Sequence, residues 1–410
     1  MQDLSKLDRA IPRSGAISDP AGDVLMSRKG KVMTRGRGTV SFYAVGDIRI
    51  MKKKKPENVL ERVALILREA DITFAQLEGN LSEKECPQLG YASVRLAPRS
   101  SVTALTYAGI DVVSVAGNHS MDYGPEALLG SMAWLRQNGV QPVGAGRNLD
   151  DARKPVIFKK KGTSVAFLAY VSVVPWGHEA SPRRPGPNPM RASTYYQQAD
   201  WQPGTPPLIV TIPNPQDMAH MREDVQKARQ KADYVIVSIH WGVHNLPVKL
   251  ADYEPVVGHA AIDAGADMVL GHHAHILKAI ELYKDKPILY CIGDFSVSTT
   301  YREGYEDYQY TVDKVYGREA DPHYTFHSPI ASPHQKKSVI VKALIKGRRL
   351  ESLHLVPCLI NSEGQPCPID ARRQKQMWKE WLDFLKESCQ GIGCDTELVP
   401  EDGEVRVRLR

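Results

Sequence analysis

"DMVLGHHAH" (267–275) is a short apolar run that stops abruptly in imidazoles, and "VVGHAAIDAGA" (256–266), with helical periodicity, leads into it. The same scheme recurs upstream. "DMAHMREDVQKARQKA" (217–232) leads into "DYVIVSIHWGVH" (233–244), "EALLGSMAWLRQNG" (126–139) into "VQPVGAG" (140–146), and "SSVTALTYAGI" (100–110) into "DVVSVAGNHSMDYG" (111–124). "ENVLERVALILREA" (57–70) reads as helical and precedes the short strand "DITFAQLEGN" (71–80); "TVSFYAVGDI" (39–48) is the first ordered strand. Apolar strands alternating with amphipathic helices predict an α/β fold built on buried sheets.

Polar residues fall at the ends of those strands: Asp47, Glu78, Asn118 with His119, His240, and His273 with His275. Ligands of open α/β sheets collect at the carboxyl ends of the strands, so these groups are expected to share one cleft. Carboxylates, an amide oxygen and imidazoles suit a divalent ion such as Zn, Mn or Fe. A lone strand-end histidine is more often a hydrogen-bonded structural residue; six groups in one topological position reverse that reading. His272 is expected to point away from its neighbours if the stretch is extended.

Composition narrows the classes. The chain has 410 residues, 42% hydrophobic and 24% charged, which excludes wholesale disorder. The net charge is +6, but residues 1–60 hold 13 basic and 6 acidic residues, so all the basic excess lies there. That argues against a partner in nucleic acid. No run reaches the ~18 apolar residues of a membrane span, and no secretory signal is visible, so a cytoplasmic location is expected. Six cysteines without a CxxC pair read as reduced and structural.

Residues 1–38 read as a mobile basic arm and 39–300 as the catalytic domain. Within it, 175–216 is too dense in proline for a regular element and reads as a lid-like insertion. Residues 301–336 form a Tyr-rich insertion. Residues 337–410 are expected to complete the domain with a hairpin around "KGRR" and a helix over 371–389.

"VGDI", "LEGN", "GIDVVSVAGNHSMDYG", "VGAGRNLDDARKP", "VSIHWG", "DAGADMVLGHHAH" and "YCIGDF" closely resemble the CapA family of poly-γ-glutamate capsule-type proteins, distant relatives of the calcineurin-like metallophosphoesterases. The resemblance runs in order over about residues 40–300. It implies a four-layer αββα sandwich of the metallophosphoesterase type with loop insertions. It also implies a divalent-metal site with Asp47, Glu78, Asn118, His240, His273 and His275 as ligands and His119 as acid or base; Arg49 and Glu78 join His119 as candidate catalytic residues. Three departures stand out. Metallophosphoesterases usually open with Asp-x-His, where this chain has Asp47-Ile48-Arg49. Glu78 stands where the wider superfamily places a bridging Asp, and "DFS" (294–296) replaces Asn-Phe. An arginine is no ligand and repels a neighbouring cation, so one firmly bound metal is expected.

Candidate substrate contacts are Lys52 and Lys53 of the lysine run, Arg183 and Arg184 of "SPRRPGP", His244 and Trp241. An anionic small-molecule or peptide substrate follows. Three functions remain in view: hydrolysis or amide chemistry on a carboxylate-bearing substrate; epimerisation or isomerisation by exchange of an α-proton; and a non-catalytic role in poly-γ-glutamate capsule assembly.

Overall fold

The computed structural model describes residues 38–50, 55–83, 96–297 and 334–409, and the backbone of 25–26 and 32–33. The first strand, β1 (Val40–Ile48), shows how the layers arise. Alternate side chains of a strand face opposite sides. Val40, Phe42 and Ala44 enter a core between two sheets, whereas Tyr43, Val45 and Ile48 enter a second core beneath helices. β2 (Ile72–Leu77) repeats the division, with Phe74 on one side and Ala75 on the other.

β1, β2, β3 (Val112–Ser114) and β4 (Gln141–Val143) run parallel in that order. Helices α1 (Ala64–Leu67), α2 (Val102–Ala108) and α3 (Gly124–Gln137) cover their outer face. The second sheet has the order β5–β6–β9–β10–β12–β11, with β5 Val156–Lys160, β6 Thr163–Val171, β9 Tyr234–His240, β10 Met268–His272, β11 Ile280–Tyr283 and β12 Lys286–Leu289. Its central strands β6, β9, β10 and β12 are parallel. The helices α4 (Pro215–Lys231) and α5 (Tyr253–Ala264) add Met221, Val225, Val257 and Ala261 to its core. Phe167 of β6 stacks on Phe74 at 5.9 Å and tilts against Phe42 at 5.6 Å, joining the two sheets. The result is the αββα sandwich.

After β13 (Asp294–Ser296), which pairs with β1 in parallel, a long hairpin of β14 (Lys337–Lys346) and β15 (Arg349–Ile360) extends the first sheet beyond β1. β16 (Pro366–Pro368) and a final hairpin, β17 (Leu398–Glu401) and β18 (Glu404–Val407), complete its ten strands. The terminal helix α6 (Lys375–Ile392) buries Trp381, whose indole N–H donates to the Ser338 carbonyl at 2.8 Å. No helix among the described residues is long and apolar enough to cross a membrane.

Two local expectations need correction. The segment 175–216 contains regular structure: β7 (Ala192–Gln197) and β8 (Leu208–Pro213) form an antiparallel hairpin. Its prolines fall outside the run "ASTYYQ" and reach β8 only at its last residue, so the β-branched and aromatic residues are free to pair. The helix read over 57–70 is instead a 3-10 turn, Pro56–Val59, followed by the four residues of α1. Val59 and Val63, stiff at χ1, weaken helix propensity between them. The Tyr-rich insertion and the basic arm lie almost wholly outside the described residues, as do Cys86, Lys52 and Lys53. Cys389 and Cys394, close in sequence, are free thiols.

Candidate metal centre

The parallel strands of both sheets end on one side, and strand-end chemistry gathers there. β1 carries Asp47 beside the first residue of β13, Asp294. The approach is so close that a Cβ on Gly46 would lie 1.9 Å from the Gly293 carbonyl oxygen, and the Asp47 N–H donates to that oxygen at 3.0 Å. Only glycine fits there. Glu78 follows β2, its N–H bonded to the Ile48 carbonyl at 3.0 Å. His273 and His275 follow β10 with φ of 85° and 58°, a left-handed backbone unusual for residues with a Cβ. The strain is held by the Asp47 carboxylate, whose Oδ2 accepts from the His273 N–H at 3.1 Å.

Asp47, Glu78, His275 and Asp294 offer ligand atoms all within 4.8 Å of one another, a group that could hold a metal ion. Arg49 reaches into it. Its Nε donates to Glu78 Oε2 at 2.5 Å and its Nη2 to Asp294 Oδ1 at 2.7 Å, and Nη2 lies 2.8 Å from His275 Nδ1. That Nδ1 is also 2.9 Å from Asp294 Oδ1 and 3.5 Å from Asp47 Oδ2.

Burial alone would raise the carboxyl pKa values here, but the neighbouring nitrogen groups prevail. His272 and His275 hold Asp47 well below the usual carboxylate range, and Arg49, then His275 and His119, do the same for Glu78. Burial and the Arg49 charge push His275 down; Asp294 and Glu78 outweigh them and carry it up to about 9.

A second set of donors stands on the other flank. His240 Nε2 lies 2.9 Å from Asn118 Oδ1 and 3.2 Å from His273 Nδ1. Burial lowers both imidazoles, His240 to about 4 and His273 well below its ordinary value, so both are neutral. Two neutral imidazole nitrogens and an amide oxygen, each of a type that ligates divalent ions, thus meet within hydrogen-bond distance, the donor among them set by the imidazole tautomers. Glu78 Oε1 is buried with no hydrogen-bond partner among the described residues. These features fit a bound cation.

His119 stands beside both sets. Its Nδ1 is 2.7 Å from Asp122 Oδ2, three residues on in the same turn, and its Nε2 faces Glu78 Oε1 at 3.5 Å. His244 tilts against His273 with centroids 3.9 Å apart and stacks on His275 at 5.0 Å. Trp241 needs correction as a substrate contact: it is fully buried, its indole N–H bonded to the Tyr290 carbonyl at 2.9 Å. Arg183 is exposed; Arg184 donates to the Glu179 carbonyl at 3.3 Å within its own loop.

Two residues of the site were not among the candidates read from the sequence. Asp294 follows a glycine at the end of an apolar run, as Asp47 does, and that repeated Gly-Asp was the available signal. Asp122 had no signal beyond its three-residue spacing from His119. His272, expected to point away from its neighbours, needs correction: it is buried, with Nδ1 3.2 Å from Asp47 Oδ1.

Residues 20–299 match the family model described as "Bacterial capsule synthesis protein PGA_cap". The chain belongs to that family. Among similar curated proteins, PGA biosynthesis protein CapA of Bacillus subtilis (strain 168) is 27% identical over 65% of this chain and 65% of its own length. A probable polyglutamine synthesis accessory protein of Mycobacterium tuberculosis is 30% identical over 65% of this chain and 63% of its own. The match thus spans less than two thirds of these PGA_cap relatives. A solved structure titled as a novel phosphatase, from Mycoplasma pneumoniae, aligns with 84% of this chain and 99% of its own, at 11% identity and a TM-score of 0.45.

Proposed function

We propose that this PGA_cap protein is a metal-dependent enzyme acting on a peptide or other carboxylate-bearing substrate, by hydrolysis or amide chemistry. The observation that carries the reading is the convergence of Asn118 Oδ1, His240 Nε2 and His273 Nδ1, near the buried Glu78 Oε1, which accepts no hydrogen bond among the described residues. These residues would hold one divalent ion, Zn, Mn or Fe. When bound, such an ion supplies Lewis acidity toward a carbonyl or carboxylate oxygen.

The chain's own groups supply the rest. Asp122 fixes the His119 ring through Nδ1, leaving Nε2 to take up or deliver a proton. Arg49, a permanent cation, stabilises negative charge that develops nearby. His244, packed against His273 and stacked on His275, is placed to contact substrate. Arg183, Arg184, Lys52 and Lys53 would draw an anion toward the cleft. The relatives' names point to glutamate polymers as the first substrates to try.

A second reading rests on one more observation. His119 Nε2 and His275 Nε2 lie 3.5 Å and 3.6 Å from the same Glu78 oxygen, so two imidazoles flank one point. That pair suits exchange of an α-proton, the step of an epimerase.

Incubating the Mn- or Zn-loaded protein with γ- and α-linked glutamyl peptides in deuterated, oxygen-18-enriched water tests both. Cleavage with one heavy oxygen in the product supports hydrolysis. Deuterium at an α-carbon without cleavage transfers the assignment to epimerisation. Neither change, with metal bound, leaves the family's non-catalytic role in capsule assembly.

A further inference from the structure

Four potential metal ligands lie within 4.8 Å of one another, yet two of them, Glu78 and Asp294, are already bound to a cation of the chain itself, which also lies against a third, His275. The Arg49 side chain is only 11% exposed. Its Nε takes Glu78 Oε2, and its Nη2 lies against both Asp294 Oδ1 and His275 Nδ1. The backbone sets this position. Arg49 follows β1 directly, its N–H donates to the Ser296 carbonyl at 3.1 Å, and Ser338 Oγ donates to the Asp294 carbonyl at 2.5 Å. Strand pairing therefore fixes the root of the arginine and the carboxylate it meets.

We infer that the Arg49 guanidinium occupies the cation position of the Asp47–Glu78–His275–Asp294 cluster, so that this half of the centre is closed to metal and is reopened by removing the guanidinium. A guanidinium has no lone pair to ligate with and does not lose its proton in a protein. It uses the Glu78 and Asp294 oxygens that an ion would need, and it keeps its charge beside any ion that approached. Two consequences follow. The centre holds one exchangeable ion, at Asn118, His240 and His273. The substituted half supplies a fixed positive charge with donors arranged in a fork, which orients an anion without offering an open coordination position. The inference rests on the metal-binding reading of the site and is independent of the reaction proposed for it.

The test is metal content after dialysis against Mn²⁺ or Zn²⁺, measured by plasma mass spectrometry on the whole chain, with circular dichroism to verify folding. Wild type is expected to hold about one ion and Arg49→His about two, the imidazole adding a donor where the guanidinium stood. Arg49→Lys, which keeps a cation there, is expected to stay at about one. Asp294→Asn is expected to leave the wild-type count unchanged and to remove the added ion from Arg49→His. Arg49→Ala, whose cluster lacks a fifth donor, is expected to gain the ion more weakly.

A folded Arg49→His with the wild-type count overturns the inference. So does a wild type that holds two ions and loses one in Asp294→Asn. A wild type with none and Arg49→His with one upholds it while removing the metal from the proposed function, so the two readings fail separately.

Discussion

His119 is the side chain through which the proposed chemistry is most directly tested. Asp122 holds Nδ1 at 2.7 Å, the ring is largely but not wholly covered, and its other nitrogen, Nε2, lies 3.5 Å from Glu78 Oε1. Replacing it with alanine removes the proton carrier without unpacking a core. His119→Ala is expected to lower turnover by roughly 10²–10⁴. Asp122→Asn leaves the ring present but alters what holds it, and a loss of roughly 10- to 100-fold is expected. Both are read as kcat on a glutamyl peptide, with metal content unchanged. A His119→Ala protein of wild-type turnover removes this residue from the mechanism. Asp47, Glu78, Asn118, His240, His273 and His275 were visible beforehand because each polar group interrupts an apolar strand at its end. Asp122 was not, because a carboxylate inside a loop carries no periodic signal. Arg49 was visible as a departure from Asp-x-His, but its three partners come from segments 29 and 226 or more residues away and required the fold.

The strand β1 does more than fill the core. Its end must pass so close to the segment before β13 that Gly46 has no space for a methyl group, and the register shifts between Val45 and Asp47. A bulge of this kind re-aims a side chain at the rim of a sheet, and here it sets Asp47 against the His273 N–H. Gly46→Ala forces backbone against backbone, since the contact at 1.9 Å is with a carbonyl and not a movable side chain. A loss of about 1–3 kcal/mol is expected from such overpacking, measured by urea unfolding. Metal content should fall with it, because the displaced Asp47 carboxylate anchors the backbone of His273, a ligand of the proposed ion; a variant of unchanged stability and metal content counts against this account of the bulge. Hydrophobic patterning made β1, β2, β9 and β10 legible, together with α4 and α5, which precede the last two. The β7–β8 hairpin was obscured by its flanking prolines, and the closing pair β17–β18 was not foreseen, since four-residue strands are too short for a clear period.

The molecule as a whole carries a titration unrelated to the proposed chemistry. Glu254 of α5 is 1% exposed and packs under the turn that follows β9, where Gly242, at φ 87°, leaves a Cβ position only 2.5 Å from the Glu254 Oε1. Its Oε2 accepts from the Ala251 N–H at 2.6 Å. Buried Lys278, before β11, donates to the Lys249 carbonyl at 2.7 Å, so helix, turn and second sheet meet around this carboxyl. Burial pushes Glu254 up to about 7, an effect only partly offset by Lys278 and the Ala251 N–H. The folded protein therefore keeps a proton between about pH 4.5 and 7 that the unfolded chain has already released. Where the native state binds more protons, stability falls as pH rises. This contribution is favourable at the acid end of the window and is lost through neutrality, reaching a penalty on the order of 3 kcal/mol above pH 7. Glu254→Gln keeps an acceptor for Ala251 and removes the ionisation. It should flatten the decline in unfolding free energy between pH 5 and pH 8 and exceed wild type in stability at pH 8. Urea titrations at four pH values across that window decide it: parallel curves for the two proteins would show that Glu254 is ionised in the native state and that the lysine beside it, not burial, governs its charge.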